Sequence, residues 1–263
     1  MTPTEMNMDN TPEVASVPPN APRSILAIDV GGTGLKILAT GQSQPRRQAS
    51  GPSMTPQEMV AIVRKLAGDW TYEAVSIGYP GQVGDHGPRS EPGNLGPGWV
   101  GFNFPAAFGR PVRIVNDAAM QALGSYDGGR MLFLGLGTGL GSALIAENVL
   151  VPLELGQIPY RNERLGEALG RAGLKRLGKK KWRQIIDRVV PALMGAMLAD
   201  YVVIGGGNAK KIKSPPGGTR LSNNLTAFRG GFRLWHVEDV HTLSTDENDQ
   251  PPAPPQQVEW RLI

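Results

Sequence analysis

The apolar residues of this chain follow two patterns. Aliphatic and β-branched runs flank short glycine-rich turns in "SILAIDVGGTGLKILATG" (24–41) and "RMLFLGLGTGLGSALIAENVLVP" (130–152), which is typical of strands joined in hairpins. Segment 55–68 instead repeats with the period of a helix and has one apolar face, formed by Met59, Ile62, Val63 and Leu66. Strand-like and helix-like segments alternate along the chain, which predicts an α/β fold with layered sheets.

Local signals sharpen several of these elements. Thr55 and Glu58 form a capping box around Pro56, so a helix is expected to begin there. The other predicted elements are strands in "EAVSIGYPG" (73–81), "PVRIVND" (111–117) and "YVVIGGGN" (201–208), and helices in "AAMQALGSY" (118–126) and "WRQIIDRVVPALMGAMLAD" (182–200). Pro191 is expected to kink the last helix, because proline removes a hydrogen bond from a helix interior.

The tetrapeptide Gly-Thr-Gly-Leu occurs twice, at 32–35 and 137–140, each time between two strand-like runs. This repetition predicts two related halves, each beginning with a strand, a tight glycine turn and a second strand. We place the first domain at 24–117 and the second at 118–240, with a cleft between them. Polar, Pro-rich segments at 1–23 and 241–263 are expected to be tails, the first of them disordered.

Composition excludes several classes of protein. The 263 residues suit one large domain or two modest ones. The absence of cysteine rules out disulfides and thiolate metal sites. No segment is apolar enough to span a membrane, and the N-terminus has no signal-peptide pattern, so we expect a cytoplasmic protein without a membrane partner.

The charge is mildly positive, at +4, but it is unevenly distributed. Residues 161–183 are rich in lysine and arginine, with Lys179, Lys180 and Lys181 in succession. This cluster is either a solvated helix face or a surface that binds a polyanion. Nucleic acid is not expected as a partner, because the sequence has neither a helix-turn-helix signature nor zinc-finger spacing.

The glycine turns can bind phosphate. Glycine lets a ligand approach the backbone closely, and successive amides in such a turn can form an anion-binding concavity. Two turns facing each other across a cleft could hold the two ends of a phosphate chain, with Lys36 adding positive charge and Asp29 holding Mg²⁺ through water. The alternative is that each turn only closes a hairpin. The repeat, together with a third glycine cluster at Gly205, Gly206 and Gly207, favours phosphate binding.

Six spaced motifs resemble those of ROK-family sugar kinases, and they occur in the same order. They are "DVGGTGLK" (29–36), "IGYPGQV" (77–83), "VNDA" (115–118), "LGTGLGSALI" (136–145), "LELGQIPY" (153–160) and "VVIGGGN" (202–208). The resemblance covers about residues 24–235. Two further segments, "LGKKKW" and "NNLTAFRGGFRLW", are similar to the polyphosphate/ATP glucokinase branch.

The resemblance implies two ribonuclease-H-like domains of the actin and hexokinase superfamily around a central cleft. Sugar is expected at the bottom of the cleft and the phosphate donor, polyphosphate or ATP, above it. The implied donor-binding residues are Asp29, Gly31, Gly32, Thr33, Lys36, Gly137, Thr138, Gly139 and Gly205–Gly207, and Lys179–Lys181 could track a polyphosphate chain. Family members often dimerise, which leaves a homodimer open.

The resemblance also assigns roles around the sugar. Asp117 matches the catalytic base that accepts the proton of the 6-hydroxyl of glucose. The alternative for Asn116-Asp117 is a helix N-cap, and the two roles are compatible. The expected sugar ligands are Asp117 itself, Glu154, Asn94, Asn116 and Gln157. A carboxylate such as Glu154 suits vicinal hydroxyls, because it can accept two hydrogen bonds.

One departure from the family pattern concerns residue 157. Most members have E-x-G-H followed by a cysteine-rich zinc motif, whereas this chain has Glu154-Leu155-Gly156-Gln157 and no cysteine. We therefore expect no zinc site and an altered sugar preference. Two alternatives to a glucokinase remain open at this point: a kinase for another hexose or an N-acetylhexosamine, and a non-catalytic sugar sensor.

Overall fold

The structure of the chain is a computed structural model that describes residues 22–223 and 225–235. Apart from residues 22 and 23, the two predicted tails lie outside these residues. The described elements, in chain order, are β1 (Ile25–Gly31), β2 (Gly34–Ala39), β3 (Arg46–Gln48), α1 (Pro56–Ala67), β4 (Ala74–Tyr79), β5 (Val83–Gly84), β6 (Gly87–Pro88), α2 (Phe104–Phe108), β7 (Val112–Asn116), α3 (Asp117–Ser125), β8 (Met131–Leu136), β9 (Leu140–Ala146), β10 (Val149–Leu153), β11 (Pro159–Tyr160), β12 (Glu163–Arg164), α4 (Leu165–Leu169), α5 (Arg171–Ala196), β13 (Tyr201–Gly205), β14 (Thr219–Leu221) and α6 (Thr226–Arg233). Short 3₁₀ turns occupy Leu155–Gln157 and Ala209–Lys211.

Two five-stranded sheets share one topology. The first has the strand order β3-β2-β1-β4-β7 and the second β10-β9-β8-β13-β14. In each sheet an antiparallel three-stranded meander is continued by two parallel strands. This confirms the prediction of an α/β chain with two related halves, each opened by a glycine hairpin. The first sheet lies within the predicted domain 24–117 and the second within 118–240, whereas the boundaries themselves stay predictions.

Each sheet has its own apolar core. Helices α1 and α2 cover the first sheet, with Met59, Trp99 and Phe104 fully buried between them. Helices α4 and α5 cover one face of the second sheet, around Trp182 and Ile186. The predicted capping box of α1 is present, with the Thr55 side chain accepting from the Glu58 amide and the Glu58 carboxylate accepting from the Thr55 amide. Burial of these cores is the main source of stability in each half.

Helices α3 and α6 form the layer between the two sheets. Helix α3 packs on β8 and β9, and α6, which follows the last strand of the second sheet, returns to pack on β1 and β4 of the first. The two helices approach so closely that a Cβ atom on Gly230 would lie 1.7 Å from the carbonyl oxygen of Met120. The glycines of "FRGGFRLW" are therefore required by this crossing.

Helix α5 is broken at a position that the sequence pattern did not indicate. The departure from helical dihedral angles is at Gly178 (φ 72°, ψ 162°), whereas Pro191, where a kink was expected, keeps helical angles. Lys179–Lys181 begin the second segment, and the Trp182 indole anchors it by donating to the Leu169 carbonyl at 2.9 Å. Across the described ranges, no helix has the length and apolarity needed to cross a membrane.

Candidate active site

An ion pair between Asp29 and Lys36 lies next to the first glycine turn. Gly31 pairs with Gly34 across β1 and β2, so Gly32 and Thr33 form the tip of the hairpin. Asp29 and Lys36 are cross-strand partners, and Lys36 Nζ lies 2.9 Å from Asp29 Oδ2. The Lys36 side chain is half exposed, whereas that of Asp29 is only 16% exposed. Asp29 is thus held close beneath the turn with its charge partly balanced.

The second glycine turn is fixed by the start of helix α5. Leu136 pairs with Leu140, which leaves Gly137, Thr138 and Gly139 as the tip. The Arg171 amide donates to the carbonyl oxygens of Gly137 and Thr138, at 3.0 and 3.1 Å. Because these carbonyls face α5, the turn is anchored on that side. Gly137 and Gly139 border open space on their Cα side, where a ligand could approach the backbone.

The third glycine cluster braces the second turn. The Asn208 amide donates to the Leu136 carbonyl, and Asn208 Nδ2 donates to the Gly137 carbonyl, both at 2.9 Å. Gly206 has a φ of 81° and lies so close to β8 that a Cβ atom would be 2.6 Å from the Leu136 carbonyl oxygen. Gly206 and Asn208 are therefore in direct contact with the second turn, whereas Gly207 borders open space.

Asp117 lies where two parallel strands of the first sheet end. Gly78 and Tyr79 of β4 pair with Val115 and Asn116 of β7, and Asp117 is the first residue of α3. Such a strand end beside a helix start is a common ligand position in α/β folds. The Asp117 carboxylate accepts from the Ala118 amide at 2.8 Å.

Asn116 is the helix cap. Its Oδ1 accepts from the amides of Ala118 and Ala119, at 2.9 and 3.3 Å, and its Nδ2 donates to the Gly81 carbonyl at 3.0 Å. The capping interpretation is thus confirmed for Asn116. These bonds fix the backbone just before Asp117, and contact of Asn116 with sugar stays a prediction.

The electrostatic environment of Asp117 draws on both halves of the chain. Burial of the carboxyl, followed by repulsion from Asp29 and then from Glu154, raises the Asp117 pKa to about 7. Asp29 belongs to β1 of the first sheet, whereas Glu154 follows β10 of the second. Interaction with both acids places Asp117 between the two halves, and a pKa near neutral suits a general base.

Asn94 packs against the first glycine turn. A Cβ atom on Gly32 would lie 2.4 Å from Asn94 Nδ2, so the side-chain amide lies directly on the backbone of the turn. Asn94 Oδ1 is buried and has no hydrogen-bond partner within the part of the chain that the structure describes. An unpaired buried acceptor is costly unless a ligand or water satisfies it. The observation therefore supports a ligand contact at Asn94.

The turn containing Glu154 and Gln157 is anchored by Ser142. The Ser142 hydroxyl accepts from the Leu155 amide at 3.0 Å and donates to the Leu153 carbonyl at 2.8 Å, which ties the turn to β9. Both Glu154 and Gln157 are exposed. Gln157 Oε1 accepts from Arg164 Nη1 at 2.8 Å, so the protein already uses this oxygen.

The lysine cluster is separate from the turns. Lys179, Lys180 and Lys181 are exposed, and no hydrogen bond or ion pair in the described ranges involves them. Neighbouring arginines differ: Arg176 pairs with Glu163 and Arg183 with Asp187. Binding of polyphosphate by the three lysines stays a prediction.

Metal binding by protein ligands alone has no support in the described ranges, where no three His, Asp or Glu side chains form a metal-binding group. The residues fit Mg²⁺ in a different way. Mg²⁺ commonly takes one or two carboxylates together with substrate phosphates and water. Asp29, beneath the first turn, could supply such a carboxylate.

Sequence reasoning missed the residues that hold the site together. Asn208, Ser142 and Tyr79 act through contacts with residues distant in sequence. The only signal for them was their position in or beside a motif, as with Asn208 at the end of "VVIGGGN".

Comparison with known proteins agrees with this architecture. A scan against protein-family models finds no match. The polyphosphate glucokinase of Mycobacterium tuberculosis is 28% identical over 226 residues, covering 76% of this chain and 84% of the relative. Among solved structures, the polyphosphate/ATP glucomannokinase of Arthrobacter sp. has a TM-score of 0.68 at 22% identity and covers 82% of this chain and 98% of its own. The ROK-family glucokinase of Streptomyces griseus has a TM-score of 0.65 at 16% identity, covering 81% and 99%.

The fold, with its two related sheets and paired glycine turns, is similar to that of two-domain sugar kinases of known structure. In sequence the chain is similar to polyphosphate glucokinases, at 28% identity, which agrees with the ROK-family resemblance of its motifs.

Proposed function

We propose that the protein transfers a phosphoryl group from polyphosphate, ATP or both to the 6-hydroxyl of glucose, giving glucose 6-phosphate. The observation that carries the proposal is the position of Asp117. Its pKa is raised to about 7 by burial, by Asp29 below the first glycine turn and by Glu154 from the other half. A base tuned near neutral pH thus lies beside a phosphate-type turn, and the likeness to glucokinases supports glucose as the acceptor.

Asp117 acts as the base. In the proposed reaction its carboxylate accepts the proton of the 6-hydroxyl while that oxygen attacks the terminal phosphorus of the donor. The bond from phosphorus to the bridging oxygen breaks, and the shortened donor leaves with the electron pair. Such general-base help is typically worth about 10²–10⁴ in rate. The cap formed by Asn116 holds the start of α3, so the carboxylate keeps its direction.

The donor lies between the two turns. Backbone amides at Gly32–Thr33 and Gly137–Gly139 would contact its phosphates, with Lys36 supplying charge near the first turn. Mg²⁺, held by Asp29 through water, would neutralise charge on the phosphoryl oxygens when bound. Phosphoryl transfer depends mainly on alignment and charge neutralisation, and this arrangement provides both.

The sugar contacts follow from the groups around Asp117. Glu154 is exposed and within electrostatic reach of Asp117, so it can accept hydrogen bonds from sugar hydroxyls beside the base. Asn94 presents its buried Oδ1 next to the first turn. Asn116 and Gln157 are weaker assignments, because the protein already uses part of each amide.

The identity of the donor is the finer part of the proposal. The exposed, unpaired Lys179–Lys181 cluster favours polyphosphate, because a polyanion can be held there by charge alone. Asn208 and Gly205–Gly207 could contact the adenosine of ATP beside the second turn. The likeness to glucokinases does not favour a sugar sensor or an N-acetylhexosamine kinase. We further propose that the enzyme is cytoplasmic and has no nucleic-acid or membrane partner. Its oligomeric state stays open between a monomer and a homodimer.

A coupled assay tests the proposal. Glucose 6-phosphate formed with Mg²⁺ and either ATP or polyphosphate is detected through a dehydrogenase. Activity with glucose that falls at least a hundred-fold in Asp117→Asn supports the assignment. The absence of product with both donors across several hexoses would count against the enzyme, and a near-native rate in Asp117→Asn would remove the base.

A further inference from the structure

The loop between β6 and α2 that carries Asn94 is closed by one carboxylate. In this segment, residues 90–100 and here called the Asn94 loop, Glu91 Oε2 accepts from the Trp99 amide at 3.1 Å and Oε1 from the Val100 amide at 3.3 Å. A single side chain therefore joins the start of the loop to its end. The bonds to the backbone amides also lower the pKa of Glu91, so the carboxylate is charged at neutral pH.

Both ends of the Asn94 loop are attached to Tyr79. The Tyr79 hydroxyl donates to the Ser90 carbonyl at 2.7 Å, and its ring contacts that of Trp99 with centroids 5.5 Å apart. Tyr79 is the last residue of β4, and its register partner is Asn116. The base of the loop is therefore fixed to the strand end that carries Asp117.

The middle of the loop is held at a third point. The Gly96 amide donates to the Met54 carbonyl at 3.0 Å, and Trp99 is fully buried in the core of the first sheet. Asn94, between these anchors, lies on Gly32 of the first glycine turn with its Oδ1 buried and unsatisfied by any described residue. These contacts on either side of Asn94 restrict its backbone, so its side chain cannot easily move to another hydrogen-bond partner.

We propose that Glu91 is a positioning residue for the sugar: its carboxylate closes the Asn94 loop and thereby holds the Asn94 amide at the first glycine turn, where it meets a sugar hydroxyl. The inference rests on the proposed function. Without Glu91 the loop has to be ordered each time sugar binds, and that loss of entropy weakens affinity for sugar. The second donor turn is anchored through Arg171 and Asn208, and the first through the pairing of β1 with β2 and a bond from the Ser50 hydroxyl to the Gly31 carbonyl. Because none of these bonds involves Glu91, we expect donor affinity not to depend on it.

Steady-state kinetics of Glu91→Ala separate this role from a general loss of structure. We expect KM for glucose to rise roughly ten-fold, the equivalent of about one charge-assisted hydrogen bond. KM for the donor and kcat at saturating glucose should stay within about two-fold. Glu91→Gln, which keeps one carbonyl acceptor, should give an intermediate KM. Glu147→Gln, which alters an exposed carboxylate paired with Arg130 in the second half, is the matched control and should behave as wild type.

A double-mutant cycle with Asn94→Ala tests whether Glu91 acts through Asn94. If it does, Glu91→Ala adds little to the glucose KM of the Asn94→Ala protein. An undiminished effect in that background, or equal changes in the KM of glucose and donor, would overturn the proposal. Thermal unfolding of each variant identifies loss of fold, and Glu91→Gln provides the second variant if Glu91→Ala fails to fold.

Failure of the proposed function gives a different result. Wild-type protein would then form no glucose 6-phosphate, so KM could not be measured. The role of Glu91 is in that case tested by measuring glucose binding by calorimetry. Roughly ten-fold weaker binding to Glu91→Ala than to wild type supports the positioning role, and equal binding or no binding by wild type contradicts it.

Discussion

The Asp29 carboxylate lies close enough to Asp117 that its charge raises the pKa of Asp117, while Lys36 Nζ lies 2.9 Å from the same Asp29 carboxylate. The proposed base and the proposed metal-binding acid are therefore coupled before any substrate arrives. Binding of a cation near Asp29 would weaken this repulsion and favour the deprotonated form of Asp117, the form that can accept a proton.

The pH dependence of kcat/KM for glucose follows from this coupling. Asp117 must be deprotonated to act, so the rate should rise with pH, with a midpoint near its pKa of about 7 in the free enzyme. Asp29→Asn removes the repulsion and should move the midpoint to lower pH, whatever its effect on the maximal rate. Glu147→Gln should leave the midpoint in place. A flat profile between about pH 6 and 8 would contradict the role of Asp117.

Raising the pH should increase activity but decrease the free energy of unfolding, because both depend on the protonation of Asp117. A raised pKa means that the folded state retains the proton longer, so wild-type stability falls as pH rises from about 4 to 7. Asp117→Asn does not titrate, and we expect it to be more stable than wild type at pH 8, by no more than about 4 kcal/mol. Denaturant unfolding at pH 8 and pH 4 measures the difference, which should vanish toward pH 4. Asp187→Asn, which alters an exposed acid, should show no such trend.

The lysine cluster is tested by its selectivity between donors. Replacing Lys179, Lys180 and Lys181 by Ala should raise KM for polyphosphate several-fold and leave KM for ATP nearly unchanged. It should also flatten the dependence of polyphosphate KM on salt, because exposed charges act through screened electrostatics. A control variant removes three exposed positive charges elsewhere: Arg47, Lys65 and Arg188. Equal effects on both donors, or equal effects of the two variants, would exclude a specific polyphosphate surface.

Gly206 and Gly207 form a matched pair in the third glycine cluster. Gly206→Ala introduces a side chain at a φ of 81° and within 2.6 Å of the Leu136 carbonyl, so it should destabilise the fold by roughly 1–3 kcal/mol. It should also weaken donor binding, because the second turn rests on this cluster. Gly207 faces open space, and Gly207→Ala should leave the free energy of unfolding nearly unchanged. Denaturant titration distinguishes the two, and similar losses in both would contradict the bracing role.

The crossing of α3 and α6 gives a stronger stability prediction. A Cβ atom on Gly230 would lie 1.7 Å from the Met120 carbonyl oxygen, so Gly230→Ala should cost at least about 3 kcal/mol by forcing the helices apart. Gly195→Ala is the control, since Gly195 lies in helix α5 with no neighbouring atom within 4 Å of an added Cβ. It should be neutral or slightly stabilising. The melting temperature of Gly230→Ala should therefore fall, whereas that of Gly195→Ala should stay the same or rise slightly.

The sequence predicted what depends on neighbouring residues. The capping box of α1 and the two glycine hairpins are set by local backbone preferences, so their residues suffice to identify them. The repeat of Gly-Thr-Gly-Leu correctly indicated two related halves. The candidate base was found through its motif, and its raised pKa required knowledge of Asp29 and Glu154, which approach from different parts of the chain.

What the sequence did not predict depends on tertiary contacts. The sequence gives no signal that distinguishes Glu91 from other acids, because its role depends on its hydrogen bonds with the amides of Trp99 and Val100. The break in α5 was expected at Pro191 and occurs at Gly178, because a left-handed φ is accessible to glycine at little cost. Helix α6 had no signal for its return to the first sheet, since its packing partners lie some hundred residues or more earlier.

The return of α6 to the first sheet means that the chain passes between the halves twice, once through α3 and once on the way to α6. Trp235 strengthens the second passage, with its indole donating to Ser76 Oγ at 2.8 Å and the Arg113 guanidinium stacked over its ring. Two connections through one layer restrain how the halves can move relative to each other, and the first of them begins at Asp117, the proposed base.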